Sequence, residues 1–287
     1  IKVPTHVTPF SLYQTLFWWK AKWVKNADIK IICGSNLLAK SLLAPTNDLN
    51  IHYWNSSPFK NSVLMGIGNS RLDKKINLYT KKLYKKILSK DFIHSSRDEE
   101  TTKMIRDLGF KAITTGCPTL WSLDKKLCSE IPIRKSDNVI FTLTGVQREP
   151  INDQKMLDIL KKNYKKRYFY VQTIWDLEYL QTLKDIRDVI IIDSSIQSYK
   201  EALQNFNVDY VGTRLHGGIF AMQNKVRSII ITIDNRTRNI NKINNLNVVE
   251  RENINELEKL INEEIKTNIK IDYDSINKWL DQFNKEN

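Results

Sequence analysis

An arginine and a histidine stand two residues apart in the stretch Val211-Gly212-Thr213-Arg214-Leu215-His216-Gly217-Gly218. The apolar run before it, Val208 to Val211, predicts a strand; the run after it, Ile219 to Met222, predicts a helix. A permanent cation and a proton carrier with an ordinary pKa of about 6.5 therefore sit where a strand hands over to a helix. In open α/β sheets, ligands bind at the carboxyl ends of the strands. Free N–H groups at a helix start add attraction for anions. The spacing points to an anionic substrate with acid/base chemistry beside it. A lone histidine at a strand end more often serves structure, but Arg214 and the Gly217-Gly218 pair raise the odds of a catalytic role.

Three further segments follow predicted strands. Cys33-Gly34-Ser35-Asn36 is small enough for close backbone approach, and Asn36 offers donors and an acceptor; alone it reads as a plain β–α turn. In Ser95-Ser96-Arg97-Asp98-Glu99-Glu100, the acids suit a helix start and Ser96 or Ser95 can cap it. Arg97 opposes the helix dipole there, which suggests a ligand anion; an ion pair to Asp98 or Glu99 is the plain alternative. Ile233-Asp234-Asn235-Arg236-Thr237-Arg238-Asn239 adds two planar guanidinium forks suited to carboxylate or phosphate, or else is a solvated loop.

The elements that must position these groups alternate. β-branched runs predict strands at Ile29–Cys33, Ser62–Gly66, Asp91–Ser95, Ala112–Thr115, Val139–Leu143, Tyr168–Gln172, Val189–Asp193, Val208–Gly212 and Ser228–Ile233. Amphipathic segments predict helices at Leu72–Leu88, Glu99–Leu108, Gln154–Tyr164, Asp176–Lys184 and Ser198–Asn205, with two more in the tail at Asn253–Lys266 and Ser275–Asn284. Strands alternating with helices read as βαβ units and parallel sheets. The expected fold is α/β: two Rossmann-like domains facing a cleft. We expect residues 1–123 and 138–270 to be the domains, with 124–137 as their connection. Residues 271–287 are expected to pack back on the first domain. Gly66-Ile67-Gly68 supplies two glycines of a dinucleotide fingerprint but not the third, so nicotinamide binding is poorly supported.

Composition narrows the class. The chain has 287 residues and a net charge of +13, from 45 Lys and Arg against 32 Asp and Glu. That excess favours anionic partners, although an AT-rich genome also enriches Lys, Asn and Ile. Three cysteines without Cys-x-x-Cys spacing and four scattered histidines argue against a disulfide framework or a metal cluster. No apolar run approaches the roughly 20 residues a membrane span needs, and no signal-peptide pattern is visible. A cytoplasmic setting is the expectation. The chain opens at Ile1 rather than methionine, so a missing start is also expected.

The order of these segments resembles the polysaccharide pyruvyl transferase family. The resemblance lies in the turn at Cys33–Asn36, the Ser-x-Arg-Asp-Glu segment at Ser95–Glu99 and the Gly116-Cys117-Pro118-Thr119 stretch. Its most specific part is Arg214-Leu215-His216 before a helix, followed by a strand and Asp234-Asn235-Arg236. It runs from about Ile29 to Asn247. Cys117 stands where many members have Asp, Arg236 where many have Lys, and the family's early Gly-Asp segment is not evident. These departures bear on the acceptor more than on the reaction.

The resemblance implies a GT-B-like fold and no metal or other cofactor. It implies phosphoenolpyruvate as donor and a sugar hydroxyl pair as acceptor, on a bacterial surface glycan or its lipid-linked precursor. His216, Arg214 and Arg97 are then expected to be catalytic. Arg236, Arg238, Asn235, Ser96, Asn36, Arg71 and Gly217 are expected to bind substrate. Lys74, Lys75, Lys81, Lys82, Lys85, Lys86 and Lys90, with the aromatic group Phe17, Trp18, Trp19 and Trp23, can dock at an anionic membrane. A solvated lysine face over a core stripe of Ile76, Tyr79, Leu83 and Ile87 is at least as good a reading. A glycosyltransferase using a sugar nucleotide is the nearest alternative, and a noncatalytic glycan-binding relative a weaker one. Nucleic acid is not expected as a partner, because no recognition motif accompanies the charge.

Overall fold

The computed structural model describes Pro9 and residues 18–34, 36–43, 49–69 and 75–284. Arg71, Lys74 and Phe17 lie outside them, as do the side chains of Trp18 and Trp19. The chain divides into two compact units, Ile1–Pro118 with Asp272–Asn287, and Thr119–Ile271.

The first unit holds helix α1 (Trp18–Lys25) and strands β1 (Lys30–Cys33), β2 (Ser62–Met65), β3 (His94–Ser96) and β4 (Ala112–Thr114). β1 pairs with β2 and β3 with β4, both in parallel. The pairs join where the Arg97 N–H donates to the Ile67 carbonyl at 2.8 Å. Helix α2 (Leu78–Ile87) begins at Asn77, whose side chain accepts the Thr80 N–H. It buries Leu83, Tyr84 and Ile87, a spacing that keeps one face on the core. Burying each such aliphatic side chain contributes about 1.5–3 kcal/mol. Leu83→Ala would open a cavity there. Residues 72–74 of the expected helix lie outside the described ones.

Helix α3 (Glu99–Asp107) follows β3. Its cap is Asp98, which accepts the Thr101 N–H at 2.8 Å, rather than Ser95 or Ser96. The serines are occupied elsewhere: the Ser95 hydroxyl accepts the Gly66 N–H, and Ser96 bonds Thr102.

The second unit is built on six parallel strands: β5 (Asn138–Thr142), β6 (Lys166–Tyr170), β7 (Val189–Ile192), β8 (Val208–Gly212), β9 (Ser228–Thr232) and β10 (Val248–Glu250). Their order is β10-β9-β8-β5-β6-β7. Val139 to Phe141 and Ile229 to Ile231 are buried, as expected for strands covered on both faces. Between β8 and β5 the strand order reverses, and at such a point the chain leaving the two strands opens a crevice.

Helices α4 (Lys125–Ser129), α5 (Pro150–Asn163), α6 (Ile174–Leu180), α7 (Ile196–Asn205), α8 (Leu215–Gln223), α9 (Asn235–Asn244) and α10 (Leu257–Asn262) belong to this unit. The expected loop at Ile233–Asn239 is a correction: Asp234 caps α9 by accepting the Thr237 N–H at 2.9 Å. The expected tail helix at Asn253–Lys266 is a 3-10 turn, Arg251–Glu256, followed by the short α10.

Buried charge ties the unit together. Arg227 donates to Asp209 at 2.8 Å and to the carbonyls of Leu260, Ile261 and Glu263. Tyr164 donates to the same carboxylate at 2.7 Å. Arg227 Nε also reaches the Ile133 carbonyl, so the stretch expected as a connection packs on this unit.

Helix α11 (Tyr273–Asp281) returns to the first unit, where it buries Ile276 and Trp279. Beyond it, the Gln282 amide takes the N–H and carbonyl of Ile93 at 2.6 and 3.0 Å. No helix among the described residues is long and apolar enough to cross a membrane.

Candidate functional site

The Arg214–His216 stretch lies at the end of β8, beside the reversal of strand order. Arg214 is the first residue outside α8 and no side chain caps that helix. The neighbouring α5, α6, α7 and α9 are each capped by a side chain. An uncapped start leaves N–H groups and the positive end of the helix dipole for an anion. His216 is in this first turn and is exposed.

Arg214 is fixed from behind. Its Nη2 donates to both oxygens of Asp176, the Oδ2 at 2.5 Å, and its Nε donates to the Leu143 carbonyl at 3.2 Å. Nη1 is left without a protein partner among the described residues. Asp176 is 1% exposed. It also accepts the Gly145 N–H at 2.8 Å and the Thr173 N–H at 3.1 Å. Thr173 returns a bond to the Asp176 N–H, which completes a capping box at the start of α6. One buried carboxylate thus ties the ends of β5, β6 and β8 to a single guanidinium. Sequence reasoning placed Asp176 only at a helix start; the Thr-x-x-Asp spacing was the available signal.

Backbone packing supports the same corner. The Tyr210 hydroxyl donates to the Arg214 carbonyl at 2.7 Å, and burial pushes its pKa up. The Tyr199 hydroxyl donates to the Gly217 carbonyl at 2.9 Å. A Cβ on Gly217 would stand 3.0 Å from the Tyr210 hydroxyl, so Gly217 lets α8 lie against β8. Gly145 has no room at all: a Cβ would meet the Trp175 carbonyl at 2.1 Å.

The Asp234 loop is part of a helix start. Arg236 pairs with Asp234 at 3.3 Å, and its buried Nε has no hydrogen-bond partner among the described residues. Arg238 is held at 2.9 Å by Glu250 and lies near Glu252, while Asn235 accepts from Arg238 at 3.3 Å. Those carboxylates commit Arg238 to the β10 edge.

Arg97 belongs to the first unit. It is 5% exposed and donates from Nη2 to Asn36 Oδ1 at 2.5 Å, with Asp98 at 3.9 Å. Gly68 makes the passage: a Cβ there would lie 2.3 Å from Nη2. This is the use of a glycine that resembled half a dinucleotide fingerprint. Gly66 has a φ of +60°, and Pro118 occupies the space a Cβ would need. Ser96 is fully buried in a hydroxyl chain with Thr102 and Thr114, which corrects the expectation that it contacts substrate. Arg71 lies outside the described residues.

Comparison with known proteins follows this geometry. A family model for polysaccharide pyruvyl transferase matches residues 4–235, most of the chain. It includes Asn36, Arg97, Arg214 and His216 and stops just before Arg236. No curated protein matches in sequence. Among solved structures, the fold is similar to that of Methanocaldococcus jannaschii UDP-GlcNAc 2-epimerase, crystallised with UDP-GlcNAc and UDP. The TM-score is 0.51 at 12% identity, covering 92% of this chain and 78% of that one. At this identity the likeness speaks for the fold, two Rossmann-like units.

Proposed function

The chain belongs to the polysaccharide pyruvyl transferase family and is a transferase, and from that premise we propose that it moves the pyruvyl group of phosphoenolpyruvate onto a sugar hydroxyl pair. The acceptor in this reading is a bacterial surface polysaccharide or its lipid-linked precursor, and the product is a pyruvate ketal. The observation that carries the reading is the exposed His216 on an uncapped helix start, two residues from an arginine held by the buried Asp176.

Phosphoenolpyruvate brings a carboxylate and a phosphate. Arg214 Nη1, the partly exposed Arg236 guanidinium and the N–H groups at the start of α8 are its contacts in the second unit. Asp176 does not touch the donor; it fixes the guanidinium so that less freedom is lost on binding.

A proton delivered to the methylene carbon generates cationic character at C2. The first sugar hydroxyl forms a C–O bond there and releases its proton. The C2–O bond to phosphate breaks, and inorganic phosphate leaves with one proton. The second hydroxyl then closes the ketal at C2 and releases its own proton. The two hydroxyl protons end on the new methyl group and on phosphate, so the step balances. His216 is the group that carries them.

Sugar-nucleotide transfer is the second reading, because the epimerase of similar fold was crystallised with UDP-GlcNAc and UDP. Calorimetry with phosphoenolpyruvate and a panel of UDP-sugars separates the two. We expect phosphoenolpyruvate alone to bind, and Arg214→Lys to weaken it by roughly 10- to 100-fold, the loss of a charge-assisted hydrogen-bonding fork. Preference for a UDP-sugar would reject pyruvyl transfer.

A further inference from the structure

We propose that the flank of the first unit formed by α2 and the Tyr53-Trp54 turn docks the protein on an anionic lipid surface. Among the described residues from Leu49 to Lys90 there are seven lysines and no Asp or Glu. Helix α2 buries Thr80, Leu83, Tyr84 and Ile87 and turns Leu78, Lys81, Lys82 and Lys85 outward. The core stripe and the lysine face are thus two sides of one helix.

The turn is fastened to the part-buried flank of α2 beside those lysines, at Tyr79 and Lys86. The Tyr53 N–H donates to the Tyr79 hydroxyl at 3.1 Å, and Lys86 Nζ donates to the Tyr53 carbonyl at 2.8 Å while standing 3.8 Å above its ring. Trp54 stacks on His52 at 4.3 Å and is otherwise bare. Trp54 and Leu78 are each 78% exposed, the most exposed large apolar side chains among the described residues. Glu100 and Asp107 of α3 share a shallow pocket of about 430 Å³ with Lys75 and Lys81. The positive field is therefore least opposed at Lys82, Lys85 and Lys86.

Charge and apolar surface select the occupant together. Lysine attracts any polyanion, but a soluble one leaves Leu78 and Trp54 in water. A membrane interface takes both: anionic headgroups meet the ammonium groups, the lysine stems lie along the boundary, and Trp and Leu enter beneath them. No membrane-spanning segment is needed for this.

Vesicle flotation of the full chain tests the proposal without any turnover, so its outcome is independent of the reaction. Binding is expected to vesicles of phosphatidylcholine with phosphatidylglycerol and not to phosphatidylcholine alone. Lys82→Ala with Lys85→Ala should weaken it on the order of tenfold or more. Trp54→Ala with Leu78→Gln, which leaves the charge unchanged, should weaken it by about tenfold or more as well. Both pairs are at the surface, and an unchanged melting temperature verifies the fold. No binding to the anionic vesicles overturns the proposal. So does binding that ignores Trp54 and Leu78, or equal binding to soluble dextran sulfate, since net charge alone would then explain it.

Discussion

Arg214 and Asp176 form a one-sided clamp: the carboxylate is buried at 1% exposure, and the guanidinium that it holds through Nη2 is 22% exposed. The two residues are 38 positions apart in sequence and meet because β6 and β8 flank β5. The clamp fixes the cation without using all its donors.

That asymmetry predicts unequal costs. Arg214→Met leaves a buried carboxylate without its cation and should lower stability by about 3–5 kcal/mol. Asp176→Asn leaves an arginine that reaches water and should cost about 1–3 kcal/mol. Urea unfolding of both variants measures the difference. An Asp176→Asn loss larger than that of Arg214→Met would contradict the one-sided arrangement.

Gly68→Ala should disturb Arg97 specifically. The added carbon would stand 2.3 Å from Nη2 and 2.9 Å from Asn36 Oδ1, so the guanidinium must shift. Overpacking of this kind costs about 1–3 kcal/mol. Thermal melting should fall. Wild-type melting in Gly68→Ala would show that Arg97 has room the structure does not give it.

His94 sets a pH dependence. The Leu64 N–H donates to its Nδ1 at 3.1 Å, so the ring proton is on Nε2, which faces the Ser89 carbonyl at 2.9 Å. Burial, opposed by the Ser89 bond, lowers its pKa below 6.5. Below pH 6.5 the unfolded chain binds a proton that the folded one refuses, so stability falls with falling pH from there to the folded value. Melting between pH 8 and pH 5 should show the decline, and His94→Gln should flatten it. An equal decline in the variant would assign the acid sensitivity elsewhere.

The strands were legible because both faces of the second sheet are buried, which turns Val139–Phe141 and Ile229–Ile231 into continuous apolar runs. The first turn of α9 was not: Asn235, Arg236 and Arg238 are polar, and Thr237, Ile240 and Asn244 are its buried positions. Asp234 was the cap that could have marked it. β10 is only three residues long and carries no periodicity to read. Among the candidate residues, Arg214 and His216 in the second unit and Arg97 in the first stood out by residue type at strand ends. Asp176 did not, because its partner is fixed by strand order, which adjacent sequence does not encode. Ser96 misled for the opposite reason: a serine beside a helix start looks like a cap or a ligand until its hydroxyl is buried against Thr102.

The most direct test of the account is acceptor-dependent release of phosphate from phosphoenolpyruvate by wild type and His216→Ala, with donor affinity measured beside it. The account predicts turnover lowered by about 100- to 10,000-fold, with the fold and phosphoenolpyruvate binding retained. Wild-type turnover in His216→Ala would contradict it.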